Sequence, residues 1–197
     1  MIFREEYFPT SIYIADLKDQ NLNNDLEKNI LAWANKDRGI TRSNIKGWHS
    51  TTDMHEKEEY KELVNLLYRA QMTIYQQEHL DSEPFLGSMW ANINPPGGMN
   101  RAHMHPNSLW SGVYYVKASK NSGMLRIDDP RSVAAMSRPR MKKGAPPSRL
   151  WRELSYEPVP GKLIMFPSWL VHSVDSNESN DIRISISFNF LQKCMTT

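Results

Sequence analysis

Near the C-terminal end of the chain, Arg183-Ile184-Ser185-Ile186-Ser187-Phe188-Asn189-Phe190 alternates polar and apolar residues without a break. A period of two belongs to a β-strand, whose successive side chains point to opposite faces. Arg183, Ser185, Ser187 and Asn189 therefore share one face, and Ile184, Ile186 and Phe188 share the other. The apolar face asks for a core. The polar face begins with a charge set between isoleucines, which needs a partner of its own. An ion pair to Asp175 or Asp181 would serve. So would a carboxylate bound in a pocket, gripped in two parallel bonds by the guanidinium and in a third by Ser185.

A second pattern lies upstream, in Asn100-Arg101-Ala102-His103-Met104-His105-Pro106-Asn107-Ser108. On an extended strand, residues i and i+2 point the same way, so His103 and His105 can aim at one ion. His172, in Pro167-Ser168-Trp169-Leu170-Val171-His172, would join them from a neighbouring strand. Three ligands on one side of an ion leave positions open for substrate and dioxygen, as in non-haem iron oxygenases. The bland alternative is that the three imidazoles only hydrogen-bond inside a barrel.

The remaining chain frames these two patterns. Its 197 residues suffice for one domain with a sizeable core, and a net charge of +2 indicates neither a nucleic acid nor another strongly polarised partner. There is no apolar run of the roughly 18 residues that a membrane span needs. The acidic start Met-Ile-Phe-Arg-Glu-Glu does not suit a signal peptide, so a cytoplasmic location is expected. The single cysteine, Cys194, has no internal disulfide partner. Residues 1–20 read as a strand and turn. Asn23, Asn24 or Asp25 is expected to cap a helix carrying Leu26, Ile30, Leu31 and Trp33, with Gly39 ending it. Gly47-Trp48-His49-Ser50 reads as loop, and a second helix is expected over about 54 to 80.

From about residue 85 the texture changes to strands: 89–94, 111–118, 123–128, 151–156, 161–166, 172–174 and 182–191. Helices followed by about eight antiparallel strands predict an α+β chain with a jelly-roll barrel. Residues 1–84 would form a helical support region and 85–192 the barrel core. Between them the strands leave a basic, irregular segment, 131–150, which reads as a substrate lid or an anionic-partner patch.

Taken together, the HxH pair, Ser111-Gly112-Val113-Tyr114-Tyr115-Val116, Asp129-Pro130-Arg131, Phe166-Pro167-Ser168-Trp169-Leu170-Val171-His172 and the RxS strand resemble the 2-oxoglutarate/Fe(II)-dependent oxygenases. Within them, the similarity is to a little-characterised bacterial and phage branch. The resemblance implies a double-stranded β-helix with helices behind its larger sheet. It implies Fe(II) on His103, His105 and His172, and 2-oxoglutarate on Arg183 and Ser185 with a tyrosine, best Tyr115. It implies a reaction, most simply a hydroxylation, that consumes dioxygen. The superfamily's usual pattern is HxD or HxE, so His105 stands where an acid is customary; Asp129 is the alternative source of a carboxylate. Two other readings remain open: a cupin-like three-His dioxygenase without 2-oxoglutarate, and a non-catalytic jelly-roll binding module. A homodimer is also expected.

Overall fold

The computed structural model describes residues 2–3, 5, 8–131, 133, 136, 140, 142–143 and 153–193. Its framework is two antiparallel sheets. The larger has the order β1 (Tyr13–Asp16), β9 (Lys162–Pro167), β6 (Trp110–Lys117), β11 (Arg183–Leu191), β4 (Phe85–Asn94), β3 (Trp48–His49). The smaller runs β2 (Asn44–Ile45), β5 (Met99–His103), β10 (His172–Val174), β7 (Leu125–Asp128), β8 (Glu153–Tyr156). Consecutive strands repeatedly lie in different sheets, the interleaving of a double-stranded β-helix. The expected α+β jelly roll is the fold observed.

The alternation in β11 divides the molecule. Ile184, Ile186, Phe188 and Phe190 are fully buried in a core that also takes Leu22, Leu26 and Ile30 from helix α1 (Gln20–Ala34) and Leu63, Leu67 and Ile74 from helix α2 (Lys61–Gln77). Burial of each such side chain is worth about 1.5–3 kcal/mol, so this layer holds the helices against the back of the sheet. The other face of β11 looks between the sheets. There a smaller apolar cluster, with Tyr115, Leu125, Ile127, Ile164, Phe166 and Leu170, borders a cavity.

Four local expectations need correction. Helix α1 starts before the expected cap: Asp19 accepts the Leu22 N–H at 3.0 Å, and Asn23 is buried inside the helix, where its Oδ1 accepts the Tyr114 hydroxyl at 2.7 Å. Asn23 serves the core rather than the helix end, which only the distant Tyr114 could reveal. The helix stops at Ala34, and Gly39 does another job. Its φ is +70°, and a Cβ there would lie 2.6 Å from the His49 carbonyl oxygen, so the glycine permits close approach to β3. The second helix is shorter than its pattern: extended Lys57 separates two short 3₁₀ turns (Met54–Glu56, Glu58–Tyr60) ahead of α2. Finally, Trp48–His49 is a strand, paired to β4 through Trp48↔Ile93 and His49↔Asn92. Two residues are too few to show a period in sequence.

Of the basic segment 131–150, only Arg131, Val133, Met136, Arg140, Lys142 and Lys143 are described. Its reading as lid or anionic patch, like the start of the strand expected from Trp151 and the reading of Cys194, lies outside the described residues.

Candidate functional site

The cavity between the sheets measures about 500 Å³ and is floored by the polar face of β11. Strand pairing sets that floor out in rows: Ser185 lies between Asn92 and Tyr115, Ser187 between Trp90 and Val113, and Asn189 between Ser88 and Ser111. Hydrogen bonds tie the rows together, from Asn92 Nδ2 to Ser187 Oγ (3.2 Å), Asn189 Nδ2 to Ser88 Oγ (3.1 Å) and Ser111 Oγ to Asn189 Oδ1 (2.7 Å).

The three histidines meet on the opposite wall. His172 on β10 pairs directly with His103 on β5. Between the pairs His172↔His103 and Val174↔Asn100, β5 spends one residue more than β10, a bulge that re-aims the His103 end of the strand. Strand β5 ends at His103, so the expected i, i+2 geometry on one strand does not hold. His105 instead lies in the following segment, where its backbone N–H donates to the Ser168 carbonyl at 3.0 Å. The rings still converge: centroids are 4.4 Å apart for His103 and His172, 5.0 Å for His103 and His105, and 5.1 Å for His105 and His172. Each can offer one nitrogen, all within 4.8 Å of one another.

Their tautomers are set by carbonyls, which can only accept. His103 Nδ1 faces the Arg101 oxygen at 2.7 Å and His172 Nδ1 faces that of Leu170 at 2.9 Å, so both Nδ1 atoms carry hydrogen. Nε2 is then a bare lone pair on each ring, the arrangement found at imidazole–metal sites. Burial, with smaller repulsions among the rings, pushes His172 down to about 3 and His105 down to about 4; burial also lowers His103. All three are thus neutral at pH 7 and fit a divalent cation. A fourth histidine, His49, stacks on Trp90 (5.5 Å, 8°) and lines the same cavity, whereas Trp48 does not.

This burial has a sign that can be measured. The unfolded chain takes up protons near pH 6.5, whereas the folded histidines resist until well below it, so acid favours the unfolded state. The metal-free protein should therefore lose thermal stability steadily as pH falls from 7 to 5, a window above most carboxylate titrations. Replacing His172 with alanine should flatten that slope in a thermal melt series; an unchanged slope would contradict the assignment.

Arg183 occupies the inner end of the cavity floor and is 1% exposed. Its Nη1 donates to the carbonyls of Ser122 (2.5 Å) and Gly123 (3.0 Å), while its buried Nε has no partner. Gly123 makes room for it: φ is +97°, and a Cβ would sit 2.6 Å from Nη1. Neither acid suggested by a surface reading is bonded to Arg183. Asp175 accepts from Arg126 Nε at 2.7 Å, and Asp181 pairs with Lys117 at 3.5 Å. Ser185 and Tyr115 line the cavity beside Arg183, and burial holds the Tyr115 phenol protonated, pushed up to about 12. Tyr114, by contrast, points into the helix-side core. Asp129 is bound by Arg131 at 2.8 and 2.9 Å and does not enter the histidine cluster.

Residues 88–189, the span containing all three histidines and Arg183, match a family model described as "Putative 2OG-Fe(II) oxygenase". The chain belongs to the 2OG-Fe(II) oxygenases. It is accordingly an oxidoreductase whose cofactors are Fe(II) and 2-oxoglutarate and which uses dioxygen with a further substrate. No curated protein matches the chain. Similar solved structures include a Pseudomonas putida prolyl-4-hydroxylase, with a TM-score of 0.69 and 17% identity over 93% of this chain and 94% of that one. The viral collagen prolyl hydroxylase of Paramecium Bursaria Chlorella virus-1, solved as a 2-oxoglutarate complex, gives 0.61 and 12% over 91% and 94%. HygX from Streptomyces hygroscopicus, with nickel and 2-oxoglutarate bound, gives 0.65 and 10% over 95% and 85%. At these identities the likeness speaks for the fold. Among the described residues, no helix of this oxygenase is long and apolar enough to cross a membrane.

Proposed function

We propose that this oxygenase is a hydroxylase in which His103, His105 and His172 hold Fe(II) and Arg183, Ser185 and Tyr115 hold 2-oxoglutarate. The observation that carries the reading is the buried Arg183: a guanidinium with no bonded acid and an unpartnered Nε, in the same cavity as three neutral imidazoles. A buried unpaired cation is costly, and a dicarboxylate removes that cost on binding.

When bound, Fe(II) with dioxygen supplies the oxidising chemistry: one oxygen atom goes to 2-oxoglutarate, giving succinate and carbon dioxide, and the other enters a C–H bond of the prime substrate, giving an alcohol. The chain's part is placement. Arg183 takes the far carboxylate through charge-assisted bonds, and Ser185 and the Tyr115 hydroxyl donate to the same group. The carbonyls of Leu170 and Arg101 keep His172 and His103 in one tautomer and one orientation. Phe166, Leu125 and Val174 wall the 2-oxoglutarate end against water. Hydroxylation is the simplest use of that second oxygen atom, since it needs no further group beyond the substrate's own C–H bond. The cupin-like reading leaves Arg183 without a purpose.

The test is product formation without a prime substrate. The iron-loaded protein in air should release succinate from 2-oxoglutarate slowly, and only with iron present. Absence of succinate while 2-oxoglutarate is bound would favour a non-catalytic barrel.

A further inference from the structure

The cavity is lopsided in charge. Among the described residues that line it there is no aspartate or glutamate, while two arginines do so, Arg183 and Arg42. Arg183 is accounted for by 2-oxoglutarate. Arg42 has no side-chain hydrogen bond or ion pair among the described residues, yet its loop is fixed on both sides. The Ile40 N–H donates to the His49 carbonyl at 2.8 Å, the Arg42 N–H to Asn44 Oδ1 at 2.7 Å, and the Arg101 N–H to the Ser43 carbonyl at 2.9 Å. An exposed cation on a pinned loop at a cavity is preorganised for a ligand rather than merely solvated.

Arg42 is also separate from the 2-oxoglutarate end. Its charge opposes protonation of His49, which places it near β3. That strand lies two positions from β11 in the larger sheet, roughly 10 Å at about 4.8 Å per strand. The triad adds to the imbalance. With three neutral ligands, the double charge of Fe(II) and that of 2-oxoglutarate cancel, and Arg183 leaves one positive charge in excess. A carboxylate at the place of His105 would have removed it. Cations are therefore disfavoured as substrates, and anions drawn in.

We infer that the prime substrate carries an acidic group, a carboxylate or phosphate, seated on Arg42 at the mouth, with its reacting carbon between Arg42 and the histidines. Trp90, stacked on His49 and with its ring centroid 5.5 Å from that of His105, lines this part of the cavity, and Asn92 Oδ1, buried and unpartnered, is an acceptor that also lines it. This rests on the proposed assignment of the histidines and Arg183.

The test uses protein loaded with Zn(II) and saturated with 2-oxoglutarate, so that no turnover occurs and the Arg183 site is filled. Benzoate, benzamide and benzylammonium, alike in shape and different in charge, are titrated by ligand-observed NMR. Wild type should bind benzoate about three- to tenfold more tightly than the other two, the range of a part-exposed charge-assisted contact. Arg42→Gln should abolish the preference, and Arg42→Lys should keep part of it. Equal binding of the three probes, no binding of benzoate, or an undiminished preference in Arg42→Gln would overturn the inference. If 2-oxoglutarate itself fails to bind wild type, the fault lies with the underlying assignment; if it binds and the preference is missing, only the role of Arg42 falls.

Discussion

Replacing His172 with alanine is expected to remove tight metal binding and, with it, succinate formation. His172 is the most buried member of the triad: its ring lies 4.4 Å from that of His103 and 5.1 Å from that of His105, and its Nδ1 is committed to the Leu170 carbonyl. Loss of an outer-shell partner of a metal ligand typically costs ten- to hundredfold in affinity, so loss of a ligand should cost on the order of hundredfold or more. The fold should survive. The ring faces the cavity and Phe166 (4.8 Å) rather than the large helix-backed core, and its removal relieves the burial that holds it near 3. His49→Ala is the matched comparison. His49 is as buried as His172, but its Nδ1 faces its neighbour's carbonyl, on Ser50, at 2.6 Å, and it lies outside the triad. Its loss should leave metal affinity within a few-fold of wild type. Equilibrium titration with Zn(II) measures both variants, and equal losses would show that the triad is not the ligand set.

Arg183→Met is expected to separate binding from stability. Charge-assisted hydrogen bonds are worth about 1.5–3 kcal/mol each, and a forked contact provides two, so the 2-oxoglutarate concentration for half-maximal succinate formation should rise on the order of a hundredfold or more. The melting temperature without ligand should move little by comparison. The variant loses bonds to the carbonyls of Ser122 and Gly123, but it also loses a desolvated charge that has no bonded counter-ion. These effects oppose one another, whereas the effect on 2-oxoglutarate has one sign. A large fall in melting temperature with unchanged half-saturation would make Arg183 a structural residue.

The features legible in sequence are those fixed over two or four residues. Alternation placed Arg183 and Ser185 on one face and Ile184 and Ile186 on the other, and the strand order around β11 carries that division through the whole molecule. Tyr115, which the family resemblance favoured over Tyr114, shares a face with Val113 and Ser111, and all three line the cavity. The HxH pair led to residues whose rings do converge, but by an incomplete route. The rings converge because β5 bulges after Asn100 and the chain after His103 is tied to Ser168, and neither event has a local signature.

What sequence did not show depends on partners far along the chain. The Arg183 guanidinium is braced by carbonyls of Ser122 and Gly123, some sixty positions away, on a turn whose left-handed glycine leaves room for both the guanidinium and the Asp175 carbonyl. His49 reaches the cavity through a strand of two residues. Arg42 gave no signal at all: one cation in a polar loop looks solvated until the fold sets it at the mouth of a cavity that no described acid lines.

The central claim is that one cavity holds both the iron and 2-oxoglutarate, with Arg183 gripping the far carboxylate. It is tested most directly by anaerobic titration of the Fe(II)-loaded protein with 2-oxoglutarate, followed by visible absorption. Chelation of the iron by the 2-oxo-carboxylate should produce a weak metal-to-ligand charge-transfer band that saturates in wild type. In Arg183→Met the band should appear only at concentrations on the order of a hundredfold higher. Iron that binds without any band in wild type, or a band that titrates identically in the variant, would contradict the account.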